Sequence, residues 1–156
     1  MEVLFDSMGR KRDRGDSPDA QRVRMAISVM QRVINNRRNF DMGIWQQITR
    51  NYPMTSETQL HNCKTAACFA GWVAVSPEFR RDGGVAHPQN GAPCFLIDDQ
   101  FVAGYQAIAI WLNIPELDAI ALICSGSNSC SYSTFYGKYL WDIAPDHVIE
   151  KLQALL

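Results

Sequence analysis

Thr65-Ala66-Ala67-Cys68-Phe69-Ala70-Gly71-Trp72-Val73-Ala74-Val75 is the stretch on which the fold turns. It is too short for a bilayer span and apolar on nearly every side, the mark of a helix enclosed by others. Thr65 is the expected N-cap and Val75 the end, predicting a helix over 66–75. Gly71 costs about 1 kcal/mol relative to alanine inside a helix, so another part of the chain is expected to approach it closely.

Amphipathic helices fit around this centre. Ser17-Pro18-Asp19 opens one, with Ser17 as cap and Pro18 in the first turn. Val23, Ala26, Ile27, Met30, Val33 and Ile34 recur at helical period until Asn35-Asn36. Asp41 caps a shorter helix with Ile44, Trp45 and Ile48 inward, ended by Tyr52-Pro53. Residues 54–64 are polar and read as a loop. Ser76-Pro77-Glu78 begins a short turn. Between 82 and 97, Asn90-Gly91 separates Val85-Ala86 from Cys94-Phe95-Leu96-Ile97 and predicts a small hairpin. Asp98 reads as the cap of a helix carrying Phe101, Val102, Tyr105, Ile108 and Leu112. Pro115 starts the next, closed by Ser125-Gly126. Ser127–Tyr132 reads as a loop and Phe135–Leu140 as a turn. Pro145-Asp146 opens the last helix, with Val148, Ile149, Leu152, Leu155 and Leu156 on one stripe. The expected class is therefore mainly α: one helical domain over 17–156, of five to six helices, with at most a small β-hairpin. Residues 1–16 read as a disordered leader, Met1–Phe5 looking partly like a protease-site remnant left by expression.

With 156 residues, 47% hydrophobic and 20% charged, the chain can bury an ordinary core. Its net charge of −1 names no partner. The distribution is more telling. Residues 1–50 hold ten Lys/Arg against six Asp/Glu, and residues 51–156 hold five against ten. Arg22, Arg24, Arg32, Arg37 and Arg38 lie on or just after the first helix and are the candidate partner-binding residues. A charged protein surface is the expected partner, including one in a nucleic-acid-binding complex; direct nucleic-acid contact is less favoured. The five cysteines, Cys63, Cys68, Cys94, Cys124 and Cys130, are odd in number. With no secretion signal and no apolar run of about 20 residues, they point to free thiols in a cytoplasmic setting, without a membrane.

Three chemistries compete at 61–72. His61, Cys63 and Cys68, with Cys94 or His87, offer ligands for zinc, although no second Cys pair completes a knuckle signature. No cofactor is the leading expectation. Cys68, in the first turn of its helix, is a candidate nucleophile with His61 or His87 as base, but no acidic residue is identifiable to orient that base. The third reading is structural, with Cys63 and Cys68 locking a loop onto a helix. His147 reads as a surface residue, and Asp98-Asp99 as a cap with first-turn charge.

Phe40-Asp41-Met42, then Cys63, Thr65, Cys68, Ala70, Gly71 and Trp72, then Ala107–Ile114 and Val148–Leu152, together resemble a small-protein family of bacteriophages, prophages and their bacterial hosts. Its pattern runs Phe-Asp-Met, Cys-Gly-Thr-x-x-Cys-x-Ala-Gly-Trp, Ala-x-x-x-Leu-Gly-Leu, Val-Ile-x-x-Leu. Lys64 and Asn113 depart from its glycines. The resemblance spans about residues 20–156, is specific at 63–72, and brings a setting rather than an activity. It implies an accessory protein of a mobile element. The leading expectation is thus a non-enzymatic phage-type protein that binds and inhibits a host process such as an anti-phage defence system. The alternatives are a nucleotide-like ligand binder, using the space between Cys63–Trp72 and Val85–Ile97, and a Cys68-dependent hydrolase or transferase.

Overall fold

Asp19, not Ser17, starts the first helix: its carboxylate accepts the amide of Arg22 at 3.1 Å, and α1 runs Ala20–Asn35. In the computed structural model, residues 3–5, 11–13, 17–41, 45–46, 53–62, 66–123 and 143–156 are described. Val23, Ala26, Val29, Met30 and Val33 of α1 are buried, whereas Ile34 has turned outward at 45% exposure. The polar stretch read as a loop instead contains α2 (Glu57–Asn62).

The central helix is shorter than predicted. It spans Phe69–Ala74 (α3), with Cys68 rather than Thr65 at the N-cap, and all six of its residues are buried. Ser76 caps α4 (Pro77–Arg81), whose Phe79 ring meets Phe95 at 4.9 Å and the edge of Trp111 at 5.3 Å between centroids. α5 (Tyr105–Leu112) and α6 (Glu116–Ile123) follow, bent by 115° at the break. Asn113 makes that break in left-handed geometry, φ +55. α7 (Pro145–Gln153) returns along α1 and seals it with Val148 and Leu152. Among the described residues, no single helix is long and apolar enough to cross a membrane.

The mainly α class with at most a hairpin is corrected by a three-stranded antiparallel sheet beside seven described helices, a mixed α and β fold. Val85–Ala86 (numbered β3) pairs with Pro93–Ile97 (β4), as the Asn90-Gly91 signal implies. β4 then pairs with Gln100–Ala103 (β5), Ile97 opposite Gln100 and Leu96 opposite Phe101. Asp98 and Asp99 have φ of +50 and +62. Two successive left-handed residues make a type I′ turn, whose twist suits a two-residue hairpin, and aspartate tolerates that geometry better than most. Hence Asp98 is a strand reversal and not a helix cap, and helix begins only at Tyr105, after Gly104 at φ +67. Within the stretch read as a disordered leader, Val3–Phe5 (β1) and Lys11–Asp13 (β2) pair antiparallel, Leu4 opposite Arg12.

Trp45 and Gln46, expected inside a second helix, lie in no described helix. The buried Gln46 instead spends its amide on Met54, Nε2 donating to the carbonyl at 3.0 Å and Oε1 accepting the backbone N–H. The rest of that predicted helix lies largely outside the described residues, as do Cys63–Thr65, the loop at 127–132 and the turn at 135–140.

Candidate functional site

Cys68 is fully buried and its Sγ accepts the Gly71 amide at 3.4 Å. Burial pushes the thiol up to about 12, against the smaller lowering by backbone N–H groups. A thiolate is the reactive form, so this position disfavours the nucleophile reading. We expect iodoacetamide to leave Cys68 unmodified in folded protein at pH 8 and to label it after denaturation, as read by peptide mass. His61 lies half-buried on α2, and Cys94 is buried on β4. His87 turns its ring toward Phe101 at 5.3 Å, and its Nδ1 accepts the Gln89 amide. Among the described residues no three His, Cys, Asp or Glu form a metal-holding group. His61, Cys68 and Cys94 are thus not gathered; Cys63 falls outside the described residues. His147 is half-buried, its Nδ1 accepting the Ala144 amide at the start of α7.

The five arginines do not form one outward face. Arg22 is 6% exposed and pairs with Asp19 at 2.7 Å and Asp82 at 2.9 Å. Arg32 bridges Glu57 at 2.9 Å and Glu78 at 2.5 Å, and Arg38 pairs with the same Glu57 while lying 5.4 Å over the Trp72 ring. These three make ion pairs within the chain, with Arg22 and Arg38 mostly buried and the Arg32 side chain still 31% exposed. Arg24 and Arg37 are exposed. The missing signal was pairing across 19 to 60 residues of sequence, which helical periodicity does not carry.

The Arg32 pairing has a pH consequence. Burial raises the Glu78 carboxyl, but hydrogen bonds and charge from Arg32 outweigh it and hold the group below its ordinary value. A folded pKa lowered in this way adds stability above the unfolded value that is lost as pH falls through the folded one. The urea midpoint should therefore fall between about pH 5 and 3, and the Glu78→Gln variant should show a shallower fall.

Phe95 of β4 packs on the Phe79 ring of α4, near the region that the alternative reading offers to a small ligand. A groove of about 380 Å³ lies instead between α6 and α7, lined by Asp118, Ala121, Leu122, Lys151 and Leu155 among others.

The sheet presents a different kind of site. Among the described residues six large apolar side chains are exposed, and three of them belong to it: Val85 at 41%, Leu96 at 60% and Phe101 at 53%. Val85 stands opposite Cys94, Leu96 lies two residues further on β4, and Phe101 stands opposite Leu96. Strand alternation therefore puts all three on one face. The other face sends Phe95 into the core at 4% exposure. Beside the apolar cluster the turn carries Asp98 and Asp99, both exposed and in no ion pair with a described residue. This site escaped sequence reading because Asp98 was taken for a helix cap. The usable signal was the pair of short apolar runs, Cys94–Ile97 and Phe101–Ala103, on either side of Asp98-Asp99. Comparison of the chain with protein-family models, with curated proteins and with solved structures gives no match.

Proposed function

We propose that this chain works by binding a protein partner through the outer face of the β3–β4–β5 sheet, as a phage-type accessory protein in the host cytoplasm that inhibits a host process such as an anti-phage defence system. The observation that carries the binding reading is the exposed Leu96–Phe101 cross-strand pair with Val85 beside it. Apolar residues scattered singly on a surface need no explanation, but a cluster on one face of a small sheet is how interaction sites present themselves. The motif resemblance at residues 63–72 supports the mobile-element setting. Arg24 and Arg37 remain as exposed cations able to speed encounter with an acidic partner.

The test has two stages. Bacteria carrying a panel of defence systems are challenged with phage, with and without this protein, to find a system whose protection it removes. Its direct target is then identified by cross-linking and mass spectrometry, and purified. Leu96→Ser/Phe101→Ser should weaken binding to that target at least tenfold, with melting temperature near wild type. Arg24→Glu/Arg37→Glu should slow association mainly. Undiminished binding by the Leu96/Phe101 variant would sink the assignment of this face.

A further inference from the structure

We infer that the edge of β5 that no described strand pairs takes up an extended segment of the protein partner as a fourth strand, apolar at alternate residues and carrying lysine or arginine where it passes Asp98-Asp99. This rests on the binding reading above and names the chemistry of its partner.

The argument starts from the turn. A two-residue hairpin makes its flanking residues, Ile97 and Gln100, a hydrogen-bonded pair, and the alternation makes Phe95 and Val102 the next. The Gly104 amide donating to the Pro93 carbonyl at 2.8 Å continues the same phase. Phe101 and Ala103 therefore direct their N–H and C=O groups away from β4, where no described residue bonds them. An uncovered strand edge is a template for another strand, and proteins usually blunt it with lysine, proline or a bulge. Gln100-Phe101-Val102-Ala103 has no lysine and no proline. Main-chain bonds supply affinity in such strand addition, and alternate side chains supply specificity. Here those side chains would rest on Phe101 and Leu96.

Charge chooses the occupant. Asp98 and Asp99 stand exposed at the end of this edge with no cation from a described residue beside them. A phosphate backbone would be repelled there. A second copy pairing through the same sheet would bring no cation either, since β3, β4 and β5 contain no lysine or arginine. A basic end on an apolar strand satisfies both features. All the described pairs in this sheet are antiparallel, and an antiparallel addition places the partner's C-terminal end at the turn.

The probe is the capped heptapeptide Thr-Val-Thr-Val-Thr-Lys-Lys, titrated into ¹⁵N-labelled full-length protein. The expected result is that the Phe101 and Ala103 amides shift and gain protection from hydrogen exchange. Thr-Val-Thr-Val-Thr-Glu-Glu should bind at least tenfold more weakly. Asp98→Asn/Asp99→Asn, which keeps residues suited to the turn, should abolish that preference. Shifts located elsewhere, no shifts, or a preference surviving in the Asn variant would overturn the inference. So would a concentration-dependent dimer held by Phe101, which would make the occupant a second copy, or tighter binding of a single-stranded oligonucleotide at this edge. If the peptide fails while target binding still depends on Leu96 and Phe101, the face binds without strand addition. If target binding ignores those residues, the functional reading falls as well.

Discussion

Gly71→Ala should be the most damaging single-methyl change in this protein, costing more than about 4 kcal/mol or preventing folding. A Cβ at Gly71 would fall within the van der Waals radius of the Trp45 carbonyl oxygen, 2.7 Å from its carbonyl carbon and 2.9 Å from the Ala67 Cβ. Backbone cannot swing aside as the end of a long side chain can. Its neighbours Phe69, Ala70 and Trp72 are all fully buried. Overpacking in ordinary cores costs about 1–3 kcal/mol because side chains rearrange; here a main-chain carbonyl would have to move. Ala70→Gly is the control, since it removes one methyl group from the same helix and should cost only about 1–2 kcal/mol. Guanidinium denaturation followed by tryptophan fluorescence measures both. Gly71→Ala folding with less than twice the loss of Ala70→Gly would show that the approach of Trp45 is loose.

That close approach was legible in the sequence, because a glycine inside an otherwise favourable apolar helix needs a cause. The burial of α3 and the α1 stripe were legible for a similar reason: period and composition are local, and the hydrophobic effect acts on them directly. What failed was also specific. Asp98 fits an N-cap as well as a turn, and Phe101, Val102 and Tyr105 fit a helical stripe nearly as well as an alternating one. Only the positive φ at both aspartates separates these options, and φ is set by the strand pairing of Leu96 with Phe101. The same limit hid the candidate site. Exposure of Leu96 and Phe101 follows from which face of the sheet sends Phe95 against Phe79, a long-range fact. The ion pairs of Arg22, Arg32 and Arg38 were not legible either, because charge on a helix looks alike whether its partner is another protein or Glu57, Glu78 and Asp82 of the same chain.

Asp82→Ala is expected to cost about 3–5 kcal/mol, the range for breaking one side of a buried pair. Asp82 Oδ2 accepts from Arg22 Nε at 2.9 Å and from the indole N–H of Trp111 at 2.8 Å. It thereby joins α1 and α5 at the end of α4. The Arg22 side chain is 7% exposed and that of Asp82 12%, so neither partner can turn to water cheaply. Removing the carboxylate leaves the guanidinium with Asp19 alone and leaves a buried indole donor unpaired; the latter costs about 1–3 kcal/mol by itself. Asp82→Asn, which retains an oxygen acceptor, should lose roughly half as much, because only the charge-assisted part goes. In the Arg22→Ala/Asp82→Ala double variant the losses should fall short of additivity by about 1–3 kcal/mol. Denaturation midpoints for the four proteins of that cycle decide the matter, and strict additivity would mean that the pair is not formed. The outcome also governs how partner binding is probed. Replacing Arg22 would abolish binding by weakening the fold, so a loss seen with Arg22 variants is no sign of contact. Arg24 and Arg37, exposed on the same helix and just beyond it, report an electrostatic contribution of this region to docking without that ambiguity.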